Sequence, residues 1–419
     1  MTVPPLTVRH TAALHGRLRV PAAKNSVLPL LAAALLCDGP VRLCRTPALA
    51  DVAAACGILR ELGRPAVRLG EDLLLVPAPL QSSELTAQWM GRMRSGVFFL
   101  APVLARTGRV AFAAPGGCDL GSRPVDIHLD GLCKMGAVCS QQAGKTVLQA
   151  PQGLHGCAYA LRLPSVGATE TLLMAAAVAR GTTRLENAAL EPEILDLVRF
   201  LNACGARIRR LPGRRFTVQG VPSLHGADFT PSADRIWCAT LLCAAAGCGG
   251  EVELTGIDPA QLTALPYLLR RAGCEVQTAP QAIRLSRRGR LRGIGRVQTA
   301  PFPGLATDMA PLLAAALLTA EGTTALCDTV FTNRFACAAG FAALGAQVGV
   351  RQNCLLLPGD RATVLQGAPL QAPDLRGGAA LVLAALQAQG TSTLTGMEYV
   401  QRGYADLPGA LAVLGAAIG

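Results

Sequence analysis

Aromatic residues are scarce in this chain of 419 residues, at 4% of the total. Its cores must therefore be built from Ala, Leu and Val, and few rings are present that could stack on nucleic-acid bases. Charged residues make up only 16% and hydrophobic residues 51%, a balance that excludes an intrinsically disordered chain. No apolar run reaches the roughly 18 residues that a membrane span needs, so no transmembrane helix is predicted and no membrane partner is expected.

Two further absences concern location and metal sites. The N-terminal segment lacks a continuous apolar stretch followed by a small-residue cleavage site, so no secretory signal is predicted and we expect a cytoplasmic protein. The 15 cysteines form no CxxC pair, and the closest three (Cys238, Cys243 and Cys248) fit one helix and its end. We therefore expect most cysteines to be small buried side chains and no metal site.

The positive charge is spread along the chain. The net charge is +12, and the one dense basic run is RRGRLRGIGR at residues 287–296, which is typical of a solvated loop. A small polyanionic substrate accounts for this charge at least as well as nucleic acid does. No nucleic-acid partner is expected.

One pattern recurs six times, at intervals of about 70 residues. A hydrophobic helix end is followed by Gly and then by a short alternating strand. Glycine there is typical of a left-handed helix C-cap, where a Cβ is penalised. The six glycines are Gly63, Gly136, Gly205, Gly273, Gly345 and Gly415.

These repeats predict an α/β fold of two domains, with three repeats in each. The chain is longer than a single core usually grows. The polar segment 226–236 lies between the third and fourth repeats and is the predicted crossover, with a second crossing near residues 21–24. We expect one discontinuous domain of residues 1–22 and 233–419 and one continuous domain of residues 23–232.

A glycine-rich loop at residues 113–128 carries the chemistry that the sequence suggests. Its sequence is AAPGGCDLGSRPVDIH, and Cys118 lies between glycines and near Arg123. A thiol in such a loop beside a cation is typical of a reactive cysteine. A surface turn with an incidental cysteine is equally consistent with the loop alone.

Ten segments decide between these alternatives. They are AAKNSVLPLLAAALL (22–36), MRSG (93–96), PGGCDLGSRPVDIHLDGL (115–132), SVGATETLL (165–173), ENAALEPEILDL (186–197), ADRI (233–236), ATDM (306–309), FTNRF (331–335), DLRGGAALVLA (374–384) and QRGYADL (401–407). In these segments the chain resembles the enolpyruvyl transferases over essentially its whole length, and in particular the branch whose acceptor is UDP-N-acetylglucosamine.

The resemblance implies a two-domain inside-out α/β barrel built from six repeats. It implies transfer of the enolpyruvyl group of phosphoenolpyruvate to the sugar 3-hydroxyl with release of phosphate, the first committed step of peptidoglycan synthesis. It implies no cofactor and a monomer or weak oligomer.

The resemblance also assigns roles to individual residues. Cys118, which fosfomycin would alkylate, Asp308, Lys24 and Arg402 are the implied catalytic residues, and Asp308 is placed as general base or orienter of the sugar hydroxyl. The implied substrate-binding residues are Lys24, Asn25, Arg94, Arg123, Pro124, Val125, Asp126, Ser165, Val166, Gly167, Asp308, Val330, Arg376 and Arg402. Asn333 and Arg334 are expected to support the domain interface instead.

Several positions depart from the family pattern and leave the acceptor open. They are Asp119, Leu163, Trp237, Thr332 and Gln401. Leu163 replaces a cation expected near the diphosphate, and Arg162, if it lay on a strand, would point to the opposite face. An enolpyruvyl transferase with another hydroxyl acceptor and a non-catalytic nucleotide-sugar-binding paralogue are the alternatives.

Overall fold

A computed structural model describes residues 3–113, 125–359 and 363–419. The contacts within the chain divide it into two compact units. The described part of one, the terminal unit, comprises the segment that ends at Pro21 together with Ala233–Gly419. The described part of the other, the central unit, begins at Ala22 and ends at Ser232.

The helices alternate with short strands along both units. The α-helices are α1 Lys24–Ala33, α2 Ala50–Glu61, α3 Ala87–Met90, α4 Leu100–Thr107, α5 Asp126–Lys134, α6 Val166–Val178, α7 Pro192–Ala203, α8 Arg235–Cys248, α9 Ala264–Arg271, α10 Ala310–Ala316, α11 Ala338–Ala343, α12 Leu375–Gln387, α13 Met397–Val400 and α14 Leu407–Val413. Short 3₁₀ turns span Ala34–Leu36, Arg94–Phe99, Pro259–Gln261 and Thr307–Met309.

The strands are short and belong to several small sheets. They are β1 Leu6–Arg9, β2 Leu14–Arg19, β3 Val41–Leu43, β4 Ala66–Leu69, β5 Asp72–Leu75, β6 Glu84–Leu85, β7 Arg109–Phe112, β8 Val138–Gln142, β9 Lys145–Gln149, β10 Ala158–Ala160, β11 Thr182–Glu186, β12 Arg207–Leu211, β13 Arg215–Gln219, β14 Asp228–Phe229, β15 Gly250–Thr255, β16 Glu275–Ala279, β17 Ala282–Arg287, β18 Gly295–Gln298, β19 Thr324–Cys327, β20 Gly349–Arg351, β21 Cys354–Leu357, β22 Pro369–Gln371 and β23 Thr391–Thr395.

The sheets share one pairing scheme, with a parallel edge strand on one side and an antiparallel hairpin on the other. The sheet β6–β7–β9–β8 is an example: β6 runs parallel to β7, and β9 is antiparallel to both β7 and β8. Sheet β22–β23–β1 has three strands, and Ile418 bridges Val8 at its outer edge. The fold is therefore mixed α/β, and no sheet closes into a barrel within the described residues. The number of repeats stays a prediction.

Glycine ends a helix at each of the six expected positions. Gly63, Gly136, Gly205, Gly273, Gly345 and Gly415 have φ between 86° and 106°, and each directly follows a helix C-cap residue. The predicted left-handed caps are confirmed, because only glycine reaches this φ without a Cβ clash.

Each unit is organised around buried helices. In the terminal unit α8, α10 and α12 pack against one another, and their Ala, Gly and Cys side chains permit close approach. In the central unit α6 packs against α4, α5 and α7. Charged and polar residues are concentrated where these helices begin, since their middle turns are apolar and fully enclosed. The N-terminal ends of the buried helices are therefore where chemistry is possible.

The cysteines behave partly as expected. Seven of the twelve free cysteines among the described residues are buried, and Cys238, Cys243 and Cys248 all lie on α8 as predicted. Cys327 and Cys354 form a disulfide between neighbouring positions of β19 and β21, which residue spacing did not predict. No helix in the described ranges combines the length and apolar character that a bilayer crossing requires.

Candidate active site

The best-defined charged cluster of the terminal unit is centred on Asp308. This residue lies in the turn Thr307–Met309 that leads into α10. Arg334 Nη2 is 3.1 Å from its Oδ1, and Arg376 Nε is 3.0 Å from its Oδ2. The arginine side chains are 1% and 3% exposed, whereas that of Asp308 is 28% exposed. Two buried cations thus hold one carboxylate that solvent or a ligand can still reach.

Arg334 is fixed by several partners besides Asp308. Its Nε donates to Thr307 Oγ1 over 2.9 Å, and its guanidinium lies 4.6 Å from the centre of the Phe331 ring. Thr307 in turn donates to the buried Asp328. The expected interface role of Arg334 stays a prediction; its contact with a carboxylate 26 positions earlier is an additional finding that residue spacing does not show.

Arg376 is enclosed at the start of α12. Burial alone would lower its pKa, but Tyr404, Asp308 and Asp234 outweigh burial and raise the pKa, so the side chain stays a cation. Its guanidinium lies 5.3 Å from the Tyr404 ring, and the Tyr404 hydroxyl is 2.7 Å from Thr240 Oγ1. Its Nη1 has no hydrogen-bond partner among the described residues.

Two other predicted residues of this unit are more open. Arg402 is half-buried in the turn after α13, and its backbone N–H donates to the Tyr399 carbonyl. Val330 is 50% exposed, and its N–H donates to Asp328 Oδ1 over 2.8 Å.

In the central unit, Lys24 begins α1. Its Nζ is 2.8 Å from Asp51 Oδ2, and both side chains are at most 10% exposed. Asn25 is half-buried beside it, and Ser26 donates to the buried Asp196 over 2.6 Å. The first turn of α1 is therefore fixed by two carboxylates, which orient the lysine.

Arg94 lies near a buried histidine. It begins the 3₁₀ turn Arg94–Phe99, and burial lowers its pKa. Burial, and then the charge of Arg94, lower the pKa of His128 to about 4, so His128 is neutral near pH 7. Its Nδ1 is 2.9 Å from Thr171 Oγ1. A neutral histidine leaves Arg94 as the cation of this pair.

Ser165, Val166 and Gly167 form the N-terminal turn of α6. Ser165 is the N-cap and accepts a hydrogen bond from the Ala168 N–H over 3.3 Å. All three residues are half-buried. A Cβ on Gly167 would lie 3.2 Å from His128 Cε1, so the glycine allows the imidazole to pack directly against the turn. Free N–H groups at the start of this 13-residue helix favour an anion.

Asp126, the first residue of α5, is paired with Arg162. This ion pair lowers the pKa of Asp126. The premise that Arg162 and Leu163 lie on a strand is wrong: strand β10 ends at Ala160, and both residues lie in a bend. A bend removes the alternation that would have turned Arg162 away, so Arg162 binds Asp126 and Leu163 is left 48% exposed. Val125 is half-buried just before α5.

The predicted residues Cys118, Arg123 and Pro124 lie outside the described residues. Of the others, the structure brings Asp308 and Arg376 into direct contact in the terminal unit. In the central unit the first turn of α6 packs against the His128 ring at Gly167, and the charge of Arg94 lowers the pKa of the same histidine. Lys24 contacts Asp51, which is not one of the predicted site residues.

Comparison with known proteins assigns this arrangement to a family. The family model described as EPSP synthase (3-phosphoshikimate 1-carboxyvinyltransferase) matches residues 8–411. The chain belongs to this enolpyruvyl transferase family. UDP-N-acetylglucosamine 1-carboxyvinyltransferase of Coprothermobacter proteolyticus is 39% identical over 97% of this chain and 95% of that protein. UDP-N-acetylglucosamine 1-carboxyvinyltransferase 1 of Staphylococcus aureus strain N315 is also 39% identical, over 97% of this chain and 96% of its own length.

Solved structures agree with the family assignment. The enolpyruvyl transferase NikO from Streptomyces tendae has a TM-score of 0.90 at 28% identity, covering 100% of this chain and 99% of that one. EPSP synthase from Acinetobacter baumannii has a TM-score of 0.75 at 18% identity, with the same coverage, and shows a shared fold. The predicted enolpyruvyl-transferase-like α/β fold is confirmed.

Proposed function

We propose that this enolpyruvyl transferase moves the enolpyruvyl group of phosphoenolpyruvate to the 3-hydroxyl of UDP-N-acetylglucosamine and releases phosphate. Relatives that bear the name of this activity match 97% of the chain at 39% identity. The single structural observation that carries the proposal is the Asp308 cluster, in which a reachable carboxylate is held between two buried guanidiniums. An acidic group that orients a hydroxyl beside cations that bind an anion is the combination this reaction needs.

The proposed substrate accounts for the charges of both units. Phosphoenolpyruvate carries a phosphate and a carboxylate, and guanidinium groups bind both by paired hydrogen bonds. The Nη1 atom of Arg376 is buried and has no acceptor among the residues that the structure describes, which is costly unless a ligand atom supplies one. Lys24, Arg94 and Arg402 are proposed to add further positive charge.

The nucleotide sugar is proposed to bind the central unit. The start of α6 offers backbone N–H groups to the diphosphate, through Ser165, Val166 and Gly167. Asn25, Arg123, Pro124, Val125 and Asp126, together with Val330 of the terminal unit, are proposed to contact the remainder of the ligand. Asp126 can accept a ligand N–H only beside its present partner Arg162.

Asp308 is proposed to orient the sugar hydroxyl and to accept its proton as the oxygen attacks carbon 2 of phosphoenolpyruvate. Both of its oxygens contact guanidiniums, so Asp308 is fixed before the substrate arrives. Cys118 is proposed to take part in proton transfer to the methylene carbon or in product release. No metal or organic cofactor is required by these steps.

Several finer features belong to the same proposal. We propose an inside-out arrangement of six repeats, with domains of residues 1–22 plus 233–419 and 23–232. We also propose a cytoplasmic location, a monomer or weak oligomer, and a role in the first committed step of peptidoglycan synthesis.

A phosphate-release assay with both substrates tests the proposed function. Phosphate should appear only when phosphoenolpyruvate and UDP-N-acetylglucosamine are both present. Asp308→Asn should reduce the rate at least a hundredfold, while Glu398→Gln, at an exposed position, should not change it. Release with a different hydroxyl acceptor alone would favour another acceptor, and binding of the nucleotide sugar without any release would favour a non-catalytic paralogue.

The proposed role of Cys118 has its own test. Cys118→Ser should greatly lower turnover and abolish covalent labelling by fosfomycin, because a hydroxyl is a far weaker nucleophile than a thiolate. Intact-mass spectra of both proteins after incubation with fosfomycin would measure this. An adduct of equal yield on the Ser variant would remove Cys118 from the proposed mechanism.

A further inference from the structure

Two thiols of the central unit are brought together by neighbouring helix ends. Cys37 follows the turn Ala34–Leu36 that ends α1, and Cys204 is the C-cap of α7. Both residues are 0% exposed, and their side chains are hydrogen-bonded to each other. Neither belongs to the proposed substrate sites.

The backbone explains why these thiols meet. The segment of Leu224 and His225 connects the two helix ends. Cys37 forms a parallel bridge with Leu224, the Asp38 N–H donates to the Leu224 carbonyl over 2.7 Å, and the His225 N–H donates to the Cys204 carbonyl over 2.9 Å. The contact between the sulfurs is therefore built into the fold of this unit.

The pair is also poised electrostatically. The hydrogen bond from the Cys37 thiol lowers the pKa of Cys204, although burial opposes this. The pKa of Cys37 is raised by the same hydrogen bond and by burial, and the charges of Arg64 and Arg106 oppose this rise. The thiolate, which is the form of cysteine that reacts with oxidants, is therefore favoured at Cys204 over Cys37.

A cavity gives small molecules a route to Cys37, one of the two thiols. Its volume is about 540 Å³, and Cys37, Arg64 and Arg106 are among its lining residues. The two guanidiniums donate to the carbonyls of Leu35, Leu36 and Cys37, so they fix the chain at the end of α1 beside this cavity. The volume is ample for hydrogen peroxide and its water shell.

We propose that Cys37 and Cys204 are a redox modification site, a dithiol that hydrogen peroxide converts into a disulfide. Peroxide enters through the cavity beside Cys37, and the neighbouring Cys204 thiolate, whose proton has passed to solvent, attacks one peroxide oxygen. The O–O bond breaks, and the departing hydroxide takes a proton from solvent to leave as water. The resulting sulfenic acid is attacked by the Cys37 sulfur; the S–O bond breaks and a second water leaves with the Cys37 proton. Two thiols are oxidised, and one peroxide is reduced to two waters.

The disulfide would tie the end of α1 to the end of α7. Since α1 begins at Lys24, the bond would restrain a helix that carries a proposed catalytic residue. It would also close a long loop of the chain, which restricts the unfolded state. Oxidation should therefore raise the unfolding temperature.

Peptide mapping of the folded full-length protein tests the proposal without any substrate. After hydrogen peroxide treatment, free thiols are alkylated before digestion. We expect a peptide that joins Cys37 to Cys204, lighter than the sum of its parts by two hydrogen atoms and lost on treatment with dithiothreitol. Recovery of both cysteines alkylated, or of either joined to another cysteine such as Cys133 or Cys139, would overturn the proposal.

Thermal unfolding gives a second readout with a matched control. Wild type treated with hydrogen peroxide should unfold at a higher temperature than untreated wild type, whereas the treatment should not change the unfolding temperature of Cys204→Ala; no reductant is added, so the Cys327–Cys354 disulfide is the same in all samples. Cys248→Ala is the control, because Cys248 is also buried near an arginine but no second thiol affects its pKa. The proposal fails if the difference persists in Cys204→Ala or is absent from both wild type and Cys248→Ala.

Discussion

Replacing Arg334 by Met tests whether the Asp308 cluster is an organised site. The substitution removes the hydrogen bonds to Thr307 and Asp308, over 2.9 and 3.1 Å, and keeps the hydrogen bond from Arg376 to the other carboxylate oxygen. A hydrogen bond to a charged group contributes roughly 1.5–3 kcal/mol and a neutral one about 1 kcal/mol. Because Asp308 is 28% exposed and water can partly replace the arginine, we expect the low end, a loss of about 2 kcal/mol in the free energy of unfolding.

The same substitution should affect catalysis more than substrate affinity. Asp308 would lose one of its two guanidinium anchors, and a misplaced catalytic group typically costs on the order of a hundredfold in rate. We therefore expect kcat to fall about a hundredfold while KM for phosphoenolpyruvate changes by less than about threefold, measured by phosphate release. Denaturant unfolding of the same protein gives the stability.

Arg296→Met is the control for both measurements, because Arg296 is exposed on β18 of the same unit. Surface substitutions of this kind usually change stability by less than about 0.5 kcal/mol. If Arg334→Met behaved like the control in both unfolding and kcat, the inference that Arg334 positions Asp308 would be refuted.

Three further predictions concern the nucleotide-sugar turn, pH and a helix cap. Leu163→Lys should lower the apparent KM for UDP-N-acetylglucosamine roughly tenfold and leave the KM for phosphoenolpyruvate unchanged. The reason is that Leu163 is exposed beside the start of α6, where one charge-assisted contact contributes about 1–3 kcal/mol. A KM for UDP-N-acetylglucosamine equal to that of wild type would contradict this. The pKa of His128 is lowered to about 4 in the folded protein, so as the pH falls this histidine binds a proton in the unfolded chain before it does so in the folded protein. The free energy of unfolding of the wild type should therefore fall by about 3 kcal/mol between about pH 6.5 and about pH 4. Unfolding at several pH values should show that His128→Gln lacks this loss while the exposed His10→Gln keeps it. Gly415→Ala should lower the free energy of unfolding by about 1–2 kcal/mol. Its φ is +93°, and a Cβ there would meet no atom within 4 Å, so the loss would come from backbone strain and not from a clash. A Cβ at Gly289 would also meet no atom, but Gly289 has no positive φ, so Gly289→Ala should lower the free energy of unfolding clearly less.

Local features of the fold were predictable from the sequence because they depend on near neighbours. The glycine caps follow from the requirement for positive φ, and the placement of Cys238, Cys243 and Cys248 on one helix follows from their spacing. The bend at Leu163 was missed because a short alternating run before a helix resembles a strand, whereas the chain must turn there for Ser165 to cap α6.

The contacts that were not predicted join distant parts of the chain. Two examples are the ion pair of Arg334 with Asp308 and the disulfide of Cys327 with Cys354. Both depend on which strands and helix ends the folded chain places side by side. Nothing in the spacing of these residues distinguishes them from other arginines and cysteines. Resemblance to a family suggested the charged residues of the site, but it gave Arg334 a different role.

The most direct test of the proposed transfer is identification of the product. Protein incubated with phosphoenolpyruvate and UDP-N-acetylglucosamine should yield one phosphate for each nucleotide sugar that gains an enolpyruvyl group. Mass spectrometry would detect the added group, and nuclear magnetic resonance would locate it on the 3-hydroxyl. Unmodified UDP-N-acetylglucosamine after phosphate has been released, or an enolpyruvyl group on a different position, would contradict the proposed function.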